Sequence, residues 1–156
     1  MGHNINAFIA KEYVIQRISE HWIHAEKYNL PQGYALSLLN DNLLDDIEEL
    51  FNKEDTCKYP QFQFLTDSVI SFFAQESKGT EIIYIETDYF GGYGTQSGIL
   101  FENGQMMSKP MQGEGTINFL LHKIGVYREN NKDEFDSLQL FRFRHMDYGE
   151  NIDLIK

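Results

Sequence analysis

Residues 81–87, EIIYIET, constrain this chain more than any other stretch. Ile82, Ile83, Tyr84 and Ile85 follow one another without a polar interruption. β-Branched and aromatic side chains in so short a run fit a buried pleated surface better than a helix. Strand character resumes at residues 97–101 and stops at Asn103-Gly104. That dipeptide tolerates positive φ at both central positions of a tight hairpin turn, so residues 105–109 are expected to pair back on the preceding strand. An antiparallel sheet is therefore expected at the centre.

The remaining pattern supplies helices to cover it. Residues 5–10 alternate weakly and read as a first strand, and Val14, Ile15, Ile18 and Trp22 then recur at helical spacing. The turn Pro31-Gln32-Gly33 leads into a short strand over 34–39. Asn40 to Asn42 can cap a helix whose Leu43, Leu44, Ile47, Leu50 and Phe51 share a face. Phe62, Leu65, Val69, Phe72 and Phe73 predict a third helix that ends at Lys78-Gly79. Thr116 can cap a fourth, with Ile117, Leu120, Leu121 and Ile124 buried and Gly125 as terminator. Phe135, Leu138, Leu140, Phe141 and Phe143 follow in a segment too irregular to assign. No linker or repeat divides the chain, so residues 1–156 read as one α+β domain, a mainly antiparallel sheet packed with helices. A chain of 156 residues with 12 Phe and 9 Tyr has ample apolar surface for a single core.

Composition narrows the classes of function. No apolar run approaches the roughly 20 residues a membrane helix needs. The amino-terminal residues carry no readable secretory signal, and Asn6 stands where a myristoylation motif wants Ser or Thr. Cys57 is the single cysteine, read as a reduced thiol, and the cytoplasm is the expected compartment. Thirteen Lys and Arg against 24 Asp and Glu give a formal charge of -11. That sign repels phosphate backbones and speeds encounter with a cationic partner.

Candidate sites are few. In ETDYFGGYGTQ, residues 86–96, a strand carries Glu86 and Asp88 toward Gly91, Gly92 and Gly94. The stretch lacks the Lys-Ser/Thr of a phosphate loop and the spacing of a dinucleotide fingerprint, so no cofactor is expected. A glycine-bent turn flanked by Tyr89, Phe90 and Tyr93 is the structural alternative. On an extended strand Glu86 and Asp88 project from one face, about 6–7 Å apart at Cα, which suits either a carboxylate pair or a solvated edge. His3, His21, His24, His122 and His145 have no zinc-site spacing, and no serine sits in a nucleophile elbow. Residues 41–55 concentrate acid: Asp45, Asp46, Glu48, Glu49, Glu54 and Asp55 against Lys53 alone. This is either a solvated helix face or part of a docking surface for a basic protein, with Asp45, Asp46, Glu48, Glu49, Glu86, Asp88, Tyr89 and Tyr93 as candidate contact residues. Asp147, Glu150 and Asp153 add acid near the carboxy terminus, where Tyr148 also lies. Arg142 and Arg144 are candidate internal partners for Glu86, Asp88, Asp133 or Asp136, and alternation would place both on one strand face. A second possibility is a small-molecule site or minor enzyme centred on Glu86, Asp88, Gln96 and Arg144.

Three stretches, MGHNINAF at the start, ETDYFGGYGTQ in the centre and DEFDSLQLFRFRH at 133–145, resemble a family of small bacterial proteins of largely unknown activity. In size, acidity and pattern the chain is also similar to immunity proteins of contact-dependent growth inhibition systems, of the kind that protects against an EndoU-type nuclease toxin. The resemblance implies a cytosolic, non-enzymatic protein that binds a cognate basic toxin domain and covers its active site. It brings no catalytic residues with it.

Overall fold

The computed structural model describes residues 3–53, 56–90, 93–107 and 109–143. Strand β1 (His3–Lys11) runs into helix α1 (Glu12–His21), and the short β2 (Tyr28–Asn29) and a 3-10 turn (Pro31–Gly33) lead to β3 (Tyr34–Leu38). Helices α2 (Asp41–Phe51) and α3 (Asp67–Glu76) precede a long hairpin of β4 (Glu81–Phe90) and β5 (Tyr93–Glu102). Two short strands, β6 (Gln105–Met106) and β7 (Met111–Gln112), are followed by α4 (Thr116–Lys123), α5 (Glu134–Ser137) and a 3-10 turn (Leu140–Phe143). The strands form one antiparallel sheet in the order β2-β3-β1-β4-β5-β6, with β7 also paired to β5.

The central position of β1 and β4 explains the sequence feature that dominates the chain. Residues 82–87 are buried without exception, because both faces of β4 are covered. A strand buried on both sides reads as a continuous apolar run rather than an alternating one. Toward one face Phe8, Tyr84 and Phe101 meet Val14, Ile15, Ile18, Trp22, Leu43, Ile47, Val69, Phe72 and Phe73 from α1, α2 and α3. The rings of Phe8, Phe72 and Phe73 interlock edge to face at centroid distances of 5.1–5.7 Å. Toward the other face Ile5, Ile9, Leu36, Ile83 and Ile85 meet Ile117, Leu120, Leu121, Leu138, Leu140 and Phe143. The expected single α+β domain with a mainly antiparallel sheet is the architecture found.

Local chemistry sets the helix ends. Asn40 accepts from the Leu43 amide at 2.7 Å and caps α2, which closes on Asn52 in the left-handed region. Gly98 of β5 lets α4 lie against the sheet, since a Cβ there would stand 2.4 Å from Leu120 Cδ1. Several expectations are corrected. The third helix begins at Asp67 and not near Phe62, with Thr66 as its cap, because the preceding loop spends its amides on the sheet instead. Thr116 is the first residue of α4 rather than its cap, a place taken by Gly115. The Asn103-Gly104 hairpin holds, yet its return strand spans only Gln105–Met106. Residues 140–143 form a 3-10 turn and not a strand.

Candidate functional site

Helix α2 presents its acids unevenly. Asp41, Asp45 and Glu49 follow one another at four-residue intervals along its exposed side. Like charges at that spacing repel, by about 0.2–0.5 kcal/mol per pair in an isolated helix. Glu48 and Glu49 also occupy the last turn, which contains no basic residue, where the helix dipole disfavours anions. Asp46 is half-buried and meets His24 Nδ1 at 2.6 Å. Asn40 Nδ2 donates to the His24 carbonyl at 3.0 Å, so the segment after α1 is strapped to the start and the middle of α2.

Apolar groups adjoin these acids. Trp22 stacks on Phe51 at 6.5 Å, and beside that stack Leu50 is 63% and Ile23 87% exposed. The helical pattern predicts Leu50 on the buried face. Leu43 and Ile47 are fully buried and Leu44 and Phe51 half-buried, whereas Leu50, on the same side as Leu43 but in the last turn of the helix, is left uncovered. Charged residues around uncovered apolar side chains are the composition of an interface rim and centre.

The central motif behaves differently from its acidic appearance. Glu86 is buried, and its carboxylate accepts from the amides of Gln63 and Phe64 at 2.7 and 2.9 Å and from Tyr84 Oη at 2.6 Å. Burial raises the Glu86 pKa above the usual carboxylate range, while the amides and the tyrosine hydroxyl pull it back down. Tyr84, fully enclosed and facing that carboxylate, has its phenol pushed well up. Ser97, the cross-strand partner of Glu86, donates from Oγ to the Gln61 carbonyl at 2.6 Å. The pair fastens the loop before α3 to the sheet, and Phe62 of that loop stacks on Tyr84 at 5.8 Å. Glu86 is thus withdrawn from the surface, and its partners among the described residues are two amides and a phenol.

Asp88 is exposed one step further along β4. Tyr89 and Tyr93 lie in the strands, Tyr89 opposite Gly94 and Tyr93 opposite Phe90, but their side chains are outside the described ones. Gly94 belongs to β5, so the connection is confined to Gly91 and Gly92, which lie outside the described residues. Gln96 pairs with Thr87 and accepts from the Ile117 amide at 3.2 Å, holding the start of α4. It therefore projects from the sheet face opposite to Glu86, and the two do not converge on one pocket. Arg144, His145, Asp147, Tyr148, Glu150, Asp153, Glu54 and Asp55 lie outside the described residues. Arg142 donates to the carbonyls of Gln139 and Asn29 rather than to a carboxylate.

Other polar clusters are structural or open. The Cys57 thiol donates toward the carbonyls of Tyr59 and Phe62. His21 Nδ1 lies 2.9 Å from the Arg17 carbonyl. Among the described residues no three of His, Cys, Asp and Glu group as a metal set. No described helix is long and apolar enough to cross a membrane. Sequence reading did not anticipate the pair Glu81 and Glu102, directly opposed across β4 and β5 at the floor of a shallow cleft with Lys11 and Tyr13. Burial and the Glu102 carboxylate both raise the Glu81 pKa, and Lys11 opposes them. The register of the long hairpin, unknown before folding, is what brings these two acids together.

No family model, curated protein or solved structure matches the chain.

Proposed function

We propose that this protein acts by binding, docking the α2 face onto a basic protein domain and neutralising it by occlusion. The observation that carries this reading is the stripe Asp41, Asp45 and Glu49, like charges at a spacing that weakens the helix, beside the uncovered Leu50 and Ile23. An arrangement unfavourable to the isolated fold is accounted for if a cationic surface completes it. The formal charge of -11 would steer such a partner and make association salt-dependent. The resemblance to immunity proteins makes the partner a cognate nuclease toxin and the setting the cytoplasm, in keeping with Cys57 as a reduced thiol.

The test is co-expression with a cognate basic nuclease toxin domain, sought among the genes adjoining this one, and finding none there would end the proposal. The wild type should restore growth, and a variant carrying Asp41→Lys, Asp45→Lys and Glu49→Lys should not. In purified form that variant should associate at least about tenfold more slowly at low salt, with a flattened salt dependence. Equal on-rates for variant and wild type would remove the α2 face from the interface, and the absence of any complex at low salt would end the proposal.

A further inference from the structure

On the opposite side of the sheet, α4, α5 and residues 125–128 frame an open groove of about 590 Å³. Its walls are held from both ends. Asn118 of α4 donates to Asp133 at 3.1 Å and accepts from the Phe135 amide at 2.8 Å, tying α4 to α5. Gln32 exchanges two hydrogen bonds with the backbone of Tyr127 at 2.9 and 3.0 Å. Gly125, at φ 103°, passes so close to the Tyr34 hydroxyl that a Cβ would stand 3.0 Å from it. That hydroxyl in turn donates to the Ile124 carbonyl at 2.7 Å.

Two features of the lining point to a ligand. Phe119 and Tyr127 are 47% and 63% exposed, large aromatic surfaces left open to solvent. Glu134 contributes a carboxylate whose side chain is only 10% exposed. Among the described residues its charged neighbour is His122, with Nδ1 3.7 Å from Oε2, beyond hydrogen-bonding distance, and that imidazole side chain is 74% exposed. A nearly buried carboxylate ordinarily carries hydrogen bonds or a close counter-ion. The Lys123 ammonium stands over the Phe119 ring, 5.6 Å from its centroid, which shows that this ring engages a cation.

We propose that this groove binds an organic ammonium group carried on an aromatic or aliphatic body, with Glu134 as its anion and Phe119 and Tyr127 as its walls. His122 is free to swing into water as the ligand enters, whereas Glu134 is held in place by its burial. Arg128 also lines the groove, but its Nε is engaged by the Lys132 carbonyl at 3.2 Å, which turns it toward the loop. The site is independent of the α2 face and lies on the other layer of the molecule.

The intact chain, labelled with ¹⁵N, can be titrated with phenethylammonium and separately with 3-phenylpropionate, which presents a carboxylate on a similar phenylethyl frame. The cation should shift the amides of Asn118, Phe119, Gly125 and Tyr127 saturably, and bind at least about tenfold more tightly than the carboxylate. Glu134→Gln should abolish that preference. Phe119→Ala, at a half-exposed position whose loss the fold tolerates, should weaken the cation by about two- to fivefold, the range of an exposed cation–π contact. Failure of the cation to saturate the groove amides would overturn the proposal. Equal or tighter binding of the carboxylate would also overturn it, by making Arg128 the recognising group.

Discussion

Replacing Glu86 tests whether this acid is a fastener or a site. In the folded chain its carboxylate serves three donors, the amides of Gln63 and Phe64 and the hydroxyl of Tyr84. Hydrogen bonds to a charged group contribute about 1.5–3 kcal/mol each, so the gross loss in Glu86→Ala is roughly 4–9 kcal/mol. Two effects reduce it. The alanine removes a charge that burial disfavours, as the raised pKa indicates. Gln63 is exposed and Phe64 half-buried, so their amides can turn to water once released, whereas Tyr84 cannot. A net loss of about 2–4 kcal/mol is expected. Glu86→Gln keeps one acceptor but sets an amide donor against a donor, for about 1–2 kcal/mol. Urea unfolding with an unchanged m-value measures both. A Glu86→Ala variant within about 0.5 kcal/mol of wild type would refute the fastening role and return Glu86 to the list of functional candidates.

Other outcomes follow from the same structure. Asp45→Lys turns two repulsive four-residue pairs on α2 into attractive ones, so the free protein should gain about 0.8–2 kcal/mol in thermal or urea unfolding while binding of a basic partner weakens. Gains in both stability and binding would contradict the docking reading. Gly98→Ala should lose about 1–3 kcal/mol, because the added methyl group meets Leu120, and an unchanged unfolding midpoint would mean that α4 shifts freely. Glu81 has a raised pKa, so the folded state holds its proton more tightly than the unfolded chain. Its contribution is therefore most favourable below the unfolded value and is lost as pH rises through the folded one. Glu81→Gln should accordingly gain stability relative to wild type near neutral pH and lose that gain on acidification, and a pH-independent difference would exclude the Glu81–Glu102 interaction as its source.

Much of the fold was legible because its signals are local. The apolar run of β4, the Asn103-Gly104 turn and the helical stripes of α1 to α4 each follow from spacing or turn chemistry alone. The beginning of α3 was misplaced for a long-range reason. Phe62 and Leu65 continue the helical spacing, but Glu86, more than 20 residues away, claims the amides of Gln63 and Phe64. The acidic stripe of α2 was legible as charge, although Leu50 was assigned to the core because periodicity gives the face of a helix and not how far along it the covering elements reach. Glu86 and Gln96 seemed one constellation in the sequence. The register Glu86 to Ser97 and Thr87 to Gln96 sends them to opposite faces. Glu134 falls within the stretch DEFDSLQLFRFRH, but nothing in that stretch pointed to a groove, whose parts meet only after α5 folds back on α4.

The loop fastened by Glu86 and Ser97 has a bearing on how the chain assembles. Its anchors sit on adjacent strands, downstream of the helix it introduces, so the α2–α3 connection cannot settle until the β4–β5 hairpin is in register. Opening the hairpin should likewise release the loop. The amides of Gln63 and Phe64, although near the surface, should therefore exchange with solvent deuterium as slowly as those of the central hairpin, as members of one cooperative unit rather than as a mobile connector.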